Sequence, residues 1–337
     1  PAPTPAPTPA PTPAPSGGSP TPAPPPLDPA TLSTASVASL SQAQLSGLSS
    51  AQIASFTTAN IAALTTSQIV FFSSGQMAGF EAADLAQLSV AQIAGFGTSN
   101  LSFLRSAQLT ALTTATVSQL SLAGFAEQAM AGFSSASVSI LSSAQLDALT
   151  AAQVRGLASQ QVDVLSTTQL KAFGSSNIGD LSIEGVATAK LAGIDSADFA
   201  YLSAAAVGRL SSSQVQNLSA EQLKSLTTAN IADLKMMGLS SAKIQVLDAE
   251  EFGFLSANSL KTLSTEQVGY ITTAQLNKLV SANVTGLALE GVSSADIKTL
   301  LPNTVGGLST QQVKGLALSQ VQGLSTSQID KLATQQL

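Results

Sequence analysis

The chain has 337 residues, 13 Lys and Arg against 19 Asp and Glu, a net charge of −6, and neither Cys nor His. Without those two residue types there are no thiol nucleophiles, disulfides, soft-metal sites, haem-ligating imidazoles or imidazole acid–base chemistry. The few basic residues are scattered, which argues against a nucleic-acid partner, because that needs a basic stripe.

Hydrophobic residues reach 44%, enough for a sizeable core, but charged residues only 9%, against roughly 25% in a typical soluble domain. Ser, Thr, Gln and Asn must therefore cover the surface. Such a surface repels its neighbours weakly and favours association. There is no initiator Met, basic leader or long apolar run, so the expectation is a processed or artificial start and no membrane span.

Residues 1–26, "PAPTPAPTPAPTPAPSGGSPTPAPPP", repeat Pro-Ala-Pro-Thr. Proline fixes φ and removes donors, so residues 1–31 read as a polyproline II or disordered tail or linker. The plain reading is a spacer. The sharper one is a stalk O-glycosylated at Thr4, Thr8, Thr12 and Thr21.

From Leu32 an eight-residue unit repeats: Leu or Phe at position one, Ser or Thr at two, Gln or Asn at five, Ile, Val or Leu at six, often Gly at eight. A continuous helix fails, because eight residues at about 100° overshoot two turns by about 80° and the apolar positions drift round the surface. A strand fails as well, since spacings of five and three give no alternation. Capping chemistry fits each position. Position two is the N-cap and position five the N3 member of a capping box, while one and six form a hydrophobic staple. Gly at position eight, as in Gly47, Gly79, Gly95, Gly156, Gly307, Gly315 and Gly323, suits a left-handed helix stop. Each octad is then one short helix, too short to stand alone. The expected fold class is all-α: a solenoid of short capped helices, one per octad, with all staples in one core.

Thirty-five complete octads lie between Leu32 and Lys331, interrupted by four pentads: "LSLAG" at 120, "LSIEG" at 181, "LKMMG" at 234 and "LALEG" at 287. The last three start 53 residues apart, and "IDSADFAY" (194–201) aligns with "LDAEEFGF" (247–254). Residues 32–119 thus read as an N-terminal octad section that winds differently, and 120–337 as super-repeats of about 53 residues. A pentad is expected at a corner or at the closure of a turn, the competing reading being a neutral deletion copied by duplication.

Chemistry-bearing residues fall on repeat positions. Asp195/Asp198 and Asp248/Glu251 hint at calcium but sit at N-cap and N3, where carboxylates cap helices. Ser240 and Lys243 have Ser-x-x-Lys spacing, yet Lys243 stands where other octads carry Gln. Phe56, Phe72, Phe80, Phe96 and Phe252 read as core, and Met236/Met237 as filler. The sequons at Asn100, Asn217 and Asn283 arise from the repeat itself. Tyr201 and Tyr270, both at position eight, stand out as aromatics at an outer position. No catalytic, cofactor or metal residues are assigned.

The octads with their Pro-Ala-Pro-Thr leader resemble long repetitive exported proteins of Gram-negative bacteria built from "LTxxQIxxL"-like units. That resemblance implies an extracellular or cell-surface structural role and carries over no functional residue. The expected function is a structural subunit that self-assembles head to tail into a filament or surface layer, with itself as partner. The alternative is an adhesin-like stalk or binding module for a glycan or peptide, with cell-surface glycans as partners. An enzyme ranks third, for want of a nucleophile–base pair. The chain ends inside an octad, "LATQQL", so Leu32 at one end and Leu332 and Leu337 at the other are the candidate assembly residues.

Overall fold

A computed structural model describes residues 27–337. The proposed tail conformation and the acceptors Thr4, Thr8, Thr12 and Thr21 fall in residues 1–26 and lie outside the described residues. The architecture is an all-α solenoid, and among the described residues there is no strand.

One octad shows how the rest are built. In residues 48–55, Ser49 Oγ accepts from the Gln52 amide at 3.2 Å and Gln52 Oε1 accepts from the Ser49 amide at 2.9 Å. This capping box starts the helix Ser50–Ala54. Leu48 and Ile53, the staple, are both buried. The Phe56 amide then donates to the Ile53 carbonyl at 3.0 Å, and the chain turns into the next octad. Helices of four to six residues cannot persist in isolation, so the stability comes from what each one packs against.

That neighbour is the octad three units away. Ser50–Ala54 packs on Ser74–Gly79, Thr58–Ala62 on Ala82–Gln87, and Pro302–Gly306 on Thr326–Ile329. One turn of the solenoid therefore takes three octads, one on each of three sides. The thirty-nine complete units make thirteen turns. Positions one and six fill a single apolar core that runs from Val37 to Leu308. All five Phe residues expected in the core are there. Phe72, Phe80 and Phe96 form edge-on pairs around Phe80, with centroids 5.0 and 4.9 Å apart, a geometry favoured by the ring quadrupoles.

The glycines at position eight do something other than stop helices. Gly47, Gly156, Gly307 and Gly315 have ordinary right-handed φ, and among the described residues only Gly97 and Gly238 are left-handed. Instead, most of these glycines admit the preceding turn. A Cβ on Gly156 would lie 2.1 Å from the Glu127 carbonyl oxygen, and one on Gly79 2.3 Å from that of Ser50. Glycine sets the spacing between turns.

The pentads are neither corners nor closures. In each, the third residue occupies the place of position six: Leu122, Ile183, Met236 and Leu289 are all buried in the core. A pentad is thus an octad without positions three to five, a side of the solenoid with one helical turn removed. Pentads 53 residues apart are seven units apart, which is two turns and one unit. The pentads at 181, 234 and 287 therefore fall on three different sides, and the shortening is shared around the core.

Candidate functional site

The residue that joins the turns is the amide at position five. Gln68 accepts the Thr65 amide through Oε1 at 2.8 Å, as a capping box requires, and its Nε2 donates to the carbonyls of Val37 and Leu40, both at 2.9 Å. Those carbonyls are 31 and 28 residues earlier and belong to the previous turn. Gln76, Gln153, Gln161, Gln222, Gln275, Gln320 and Gln328 repeat the arrangement. Asn230 does the same toward Phe199 and Leu202 at 2.8 and 2.9 Å. The result is a ladder of buried amides running along the solenoid, each satisfying an N-terminal donor of its own helix and, in the turn behind it, the orphan carbonyl at position one together with the position-six carbonyl, which in most of these rungs also accepts a backbone amide. The 28- and 31-residue offsets appear both before Leu120 and after it.

The ladder was missed from the sequence, although a signal was present. A capping box accepts Glu as readily as Gln, yet position five carries Gln or Asn in 23 of 36 units and Glu once. Capping alone does not explain that bias. A need for donors does.

Rungs change where a turn crosses a pentad. The offset to the position-one carbonyl drops from 28 to 25, as in Gln145 to Leu120 (3.0 Å) and Gln312 to Leu287 (2.9 Å). After the pentads at 181 and 234 the amides disappear in favour of Lys190, Asp198, Ala206 and Lys243, Glu251, Ser259. Lys190 and Lys243 donate to the carbonyls of Asp163 and Gln216, and Ser259 to that of Leu234. Pentads have no position five, and their second residue can serve: Ser182 donates to Leu157 at 3.2 Å, Lys235 to Gly208 at 2.6 Å.

The acidic rungs cannot donate when ionised. Asp84 is buried, accepts from the Glu81 amide at 3.0 Å, and has no amide to offer the turn behind. Burial first, and then the nearby Glu81 charge, raise its pKa above the ordinary carboxylate value. Asp198 is raised by burial and by Asp195, and Glu251 by burial and by Asp248 and Glu250. Among the described residues no group of three or more His, Cys, Asp or Glu could hold a metal ion. Asp248 accepts from the Glu250 amide at 2.8 Å, whereas Asp195 makes no side-chain cap.

Ser240 caps its helix by accepting the Lys243 amide, and the Lys243 ammonium points to the Gln216 carbonyl. Asn100 and Asn283 spend their amides on the ladder, toward Phe72 at 2.6 Å and Leu255 at 3.0 Å. Asn217 bonds within its own helix, to Ser213. Met236 is core while Met237 is exposed. Tyr201 is exposed, and Tyr270 is half-buried with its hydroxyl donated to Glu266, a bond that raises the pKa of the phenol.

The three assembly candidates sit in the first and last turns and do not meet within one chain. Leu32 is half-buried and its carbonyl accepts from Asn60 at 3.0 Å; Leu332 packs on the core; Leu337 is 79% exposed. No helix is long and apolar enough to cross a membrane among the described residues. Two open hollows lie on the surface of the solenoid. One of about 660 Å³ lies against the pentad at 234, beside Tyr270, and one of about 610 Å³ between Phe254 and Val280.

Fold and ladder together define the class: this is a repeat protein, an all-α solenoid with three units per turn. Residues 77–114 and 191–228 match the family model described as the ALTTAQ repeat, in keeping with that class. No curated protein matches the chain. A crystal structure of the leucine-rich repeat-containing protein LegL7 from Legionella pneumophila aligns over 66% of this chain and 78% of its own, at 17% identity and a TM-score of 0.22.

Proposed function

We propose that the protein is structural: a subunit that self-assembles head to tail into an extracellular filament or surface layer. The observation that supports this reading is the ladder. Each turn recognises the one behind it through the same amide-to-carbonyl bonds and the same apolar pair, so a turn of one chain can be continued by a turn of another. An end of such a solenoid presents open rungs. Two unlike ends that fit each other make a heterologous contact, which propagates as an open filament unless its rotation closes a ring. A weakly charged surface offers little repulsion against this. The extracellular setting rests on the resemblance of the octads and their Pro-rich leader to exported repetitive proteins.

Light scattering and negative-stain microscopy of the full chain test the proposal. Filaments whose length is lost on Leu337→Lys, with the helical signal kept, are the expected result. A chain that stays monomeric at high concentration rules it out. In the second reading the protein is a stalk that binds a glycan or peptide, and the observation in its favour is the hollow beside Tyr270 and Met237.

A further inference from the structure

The repeat assigns every exposed side chain to a turn and a corner, and one corner gathers apolar residues on successive turns. Phe254 is the last residue of the octad 247–254, and Val280 is the second residue of the octad four units later. Both positions face the same corner, one turn apart. Leu301, second in the octad 300–307, continues the row on the next turn. These residues are 56%, 48% and 50% exposed, although a surface of Ser, Thr and Gln was available to the sequence. Between the turns of Phe254 and Val280 lies the hollow of about 610 Å³, lined also by Leu255, Ala257 and Ala282. Its flank carries Glu250 and Lys278, an ion pair between those two turns in which both side chains keep much of their exposure (61% and 43%).

We infer that this corner is a lateral contact between two copies of the chain, paired antiparallel about a two-fold axis through the hollow. Two features select a second copy as the occupant. The first is pitch: the exposed apolar residues Phe254, Val280 and Leu301 recur once per turn, and a partner that matches them residue for residue must have the same turn spacing. The second is charge. A two-fold axis lying across the solenoids at the middle of the hollow keeps flank against flank and reverses the order of turns. Phe254 then faces Val280 of the second copy, and Glu250 faces Lys278 of the second copy, twice by symmetry. A parallel two-fold, with its axis along the solenoids, would instead carry the two charged flanks to opposite sides and leave the Glu250 and Lys278 charges unmatched across the contact. One such patch is small compared with the roughly 1,200–2,000 Å² of a stable interface, so the pairing of single chains is weak. Along a filament the contact recurs with every subunit, and multivalency strengthens it. This is how rods of the proposed kind would pack into a layer. The inference deepens the self-assembly reading but does not depend on its end-to-end contact.

Sedimentation velocity of the full chain carrying Leu337→Lys, which shortens filaments, isolates the lateral contact across a concentration series. A monomer–dimer equilibrium is expected. Phe254→Lys and Val280→Lys should each weaken dimerisation about tenfold or more; both residues are exposed, so the helical circular dichroism should not change. Glu250→Lys alone and Lys278→Glu alone should weaken it several-fold, and the two together should restore it. A monomer at every concentration, or a dimer indifferent to these changes, overturns the inference. Neither outcome touches the end-to-end proposal, which is read from filament length in the chain with Leu337 intact.

Discussion

Gln275→Glu isolates the donor half of one ladder rung. Gln275 is buried, with 1% of its surface exposed. Its Oε1 accepts from the Thr272 amide and hydroxyl at 2.9 and 3.1 Å, and its Nε2 donates to the carbonyls of Ile244 and Leu247 at 2.8 and 2.9 Å. Glutamate has the same shape and keeps the accepting half. Ionised, it removes both donors and turns a carboxylate oxygen toward two carbonyl oxygens. The Ile244 carbonyl keeps the Leu247 amide as a donor at 3.3 Å, so only the Leu247 carbonyl is stranded. A buried acceptor left without a donor costs about 1–3 kcal/mol, and the substitution should destabilise the affected turns by roughly that amount near neutral pH. A protonated glutamate recovers one donor, and much of that loss should return under acid conditions. Urea unfolding followed by circular dichroism at two pH values measures both effects. Gln160→Glu, the same change at an exposed position-four residue, is the control and should cost under about 0.5 kcal/mol. Equal costs at 275 and 160, or no pH dependence at 275, would refute the ladder as the joint between turns.

Leu218→Ala, at a position-one residue that is fully buried, should cost about 2–5 kcal/mol in the same unfolding assay. Gly156→Ala forces a Cβ to 2.1 Å from the Glu127 oxygen and should be strongly destabilising, whereas Gly174→Ala meets nothing within 4 Å and should be neutral or slightly stabilising; thermal melts separate the two. Asp84, Asp198 and Glu251 have raised pKa values, so the native chain holds these protons more tightly than the unfolded one. Their contribution to stability is therefore greatest below the ordinary carboxylate pKa and falls as pH rises through the raised values. Asp84→Asn should remove part of that slope and raise the melting temperature near neutral pH, by restoring a donor at the rung.

The single octad was legible in the sequence because caps and staples are local. Ser49, Gln52, Leu48 and Ile53 lie within six residues of one another, and their types name their roles. Winding was less legible, because it depends on how the sides meet. That three octads close a turn follows from the packing of Ser50–Ala54 on Ser74–Gly79 and from the ladder offsets, and neither shows as a pattern within eight residues. The glycines misled for a related reason: a residue without Cβ serves a left-handed stop and a close approach equally well, and only the neighbouring turn at Glu127 or Ser50 tells them apart. The pentads looked like corners because their motif is short and ends in Gly. Met236 and Ile183, buried in the position-six row, identify them as sides with a turn deleted. The proposed sites are the part the repeat pattern hides most, since any residue on such a chain is first explained by its octad position.

Cysteine trapping tests the central claim, three units per turn, most directly in a chain that has no cysteine of its own. Ser143 and Thr167 are exposed position-three residues 24 residues apart, in helices Ser143–Asp147 and Thr167–Leu170 that pack on each other. Ser175 occupies the same exposed position 32 residues after Ser143, on a different side. With a short bifunctional thiol cross-linker, the Ser143→Cys/Thr167→Cys chain should be cross-linked rapidly within one molecule, and the Ser143→Cys/Ser175→Cys chain should not. Rapid cross-linking of the second pair in place of the first would mean four octads per turn and would contradict the solenoid, its ladder and the contacts built on it.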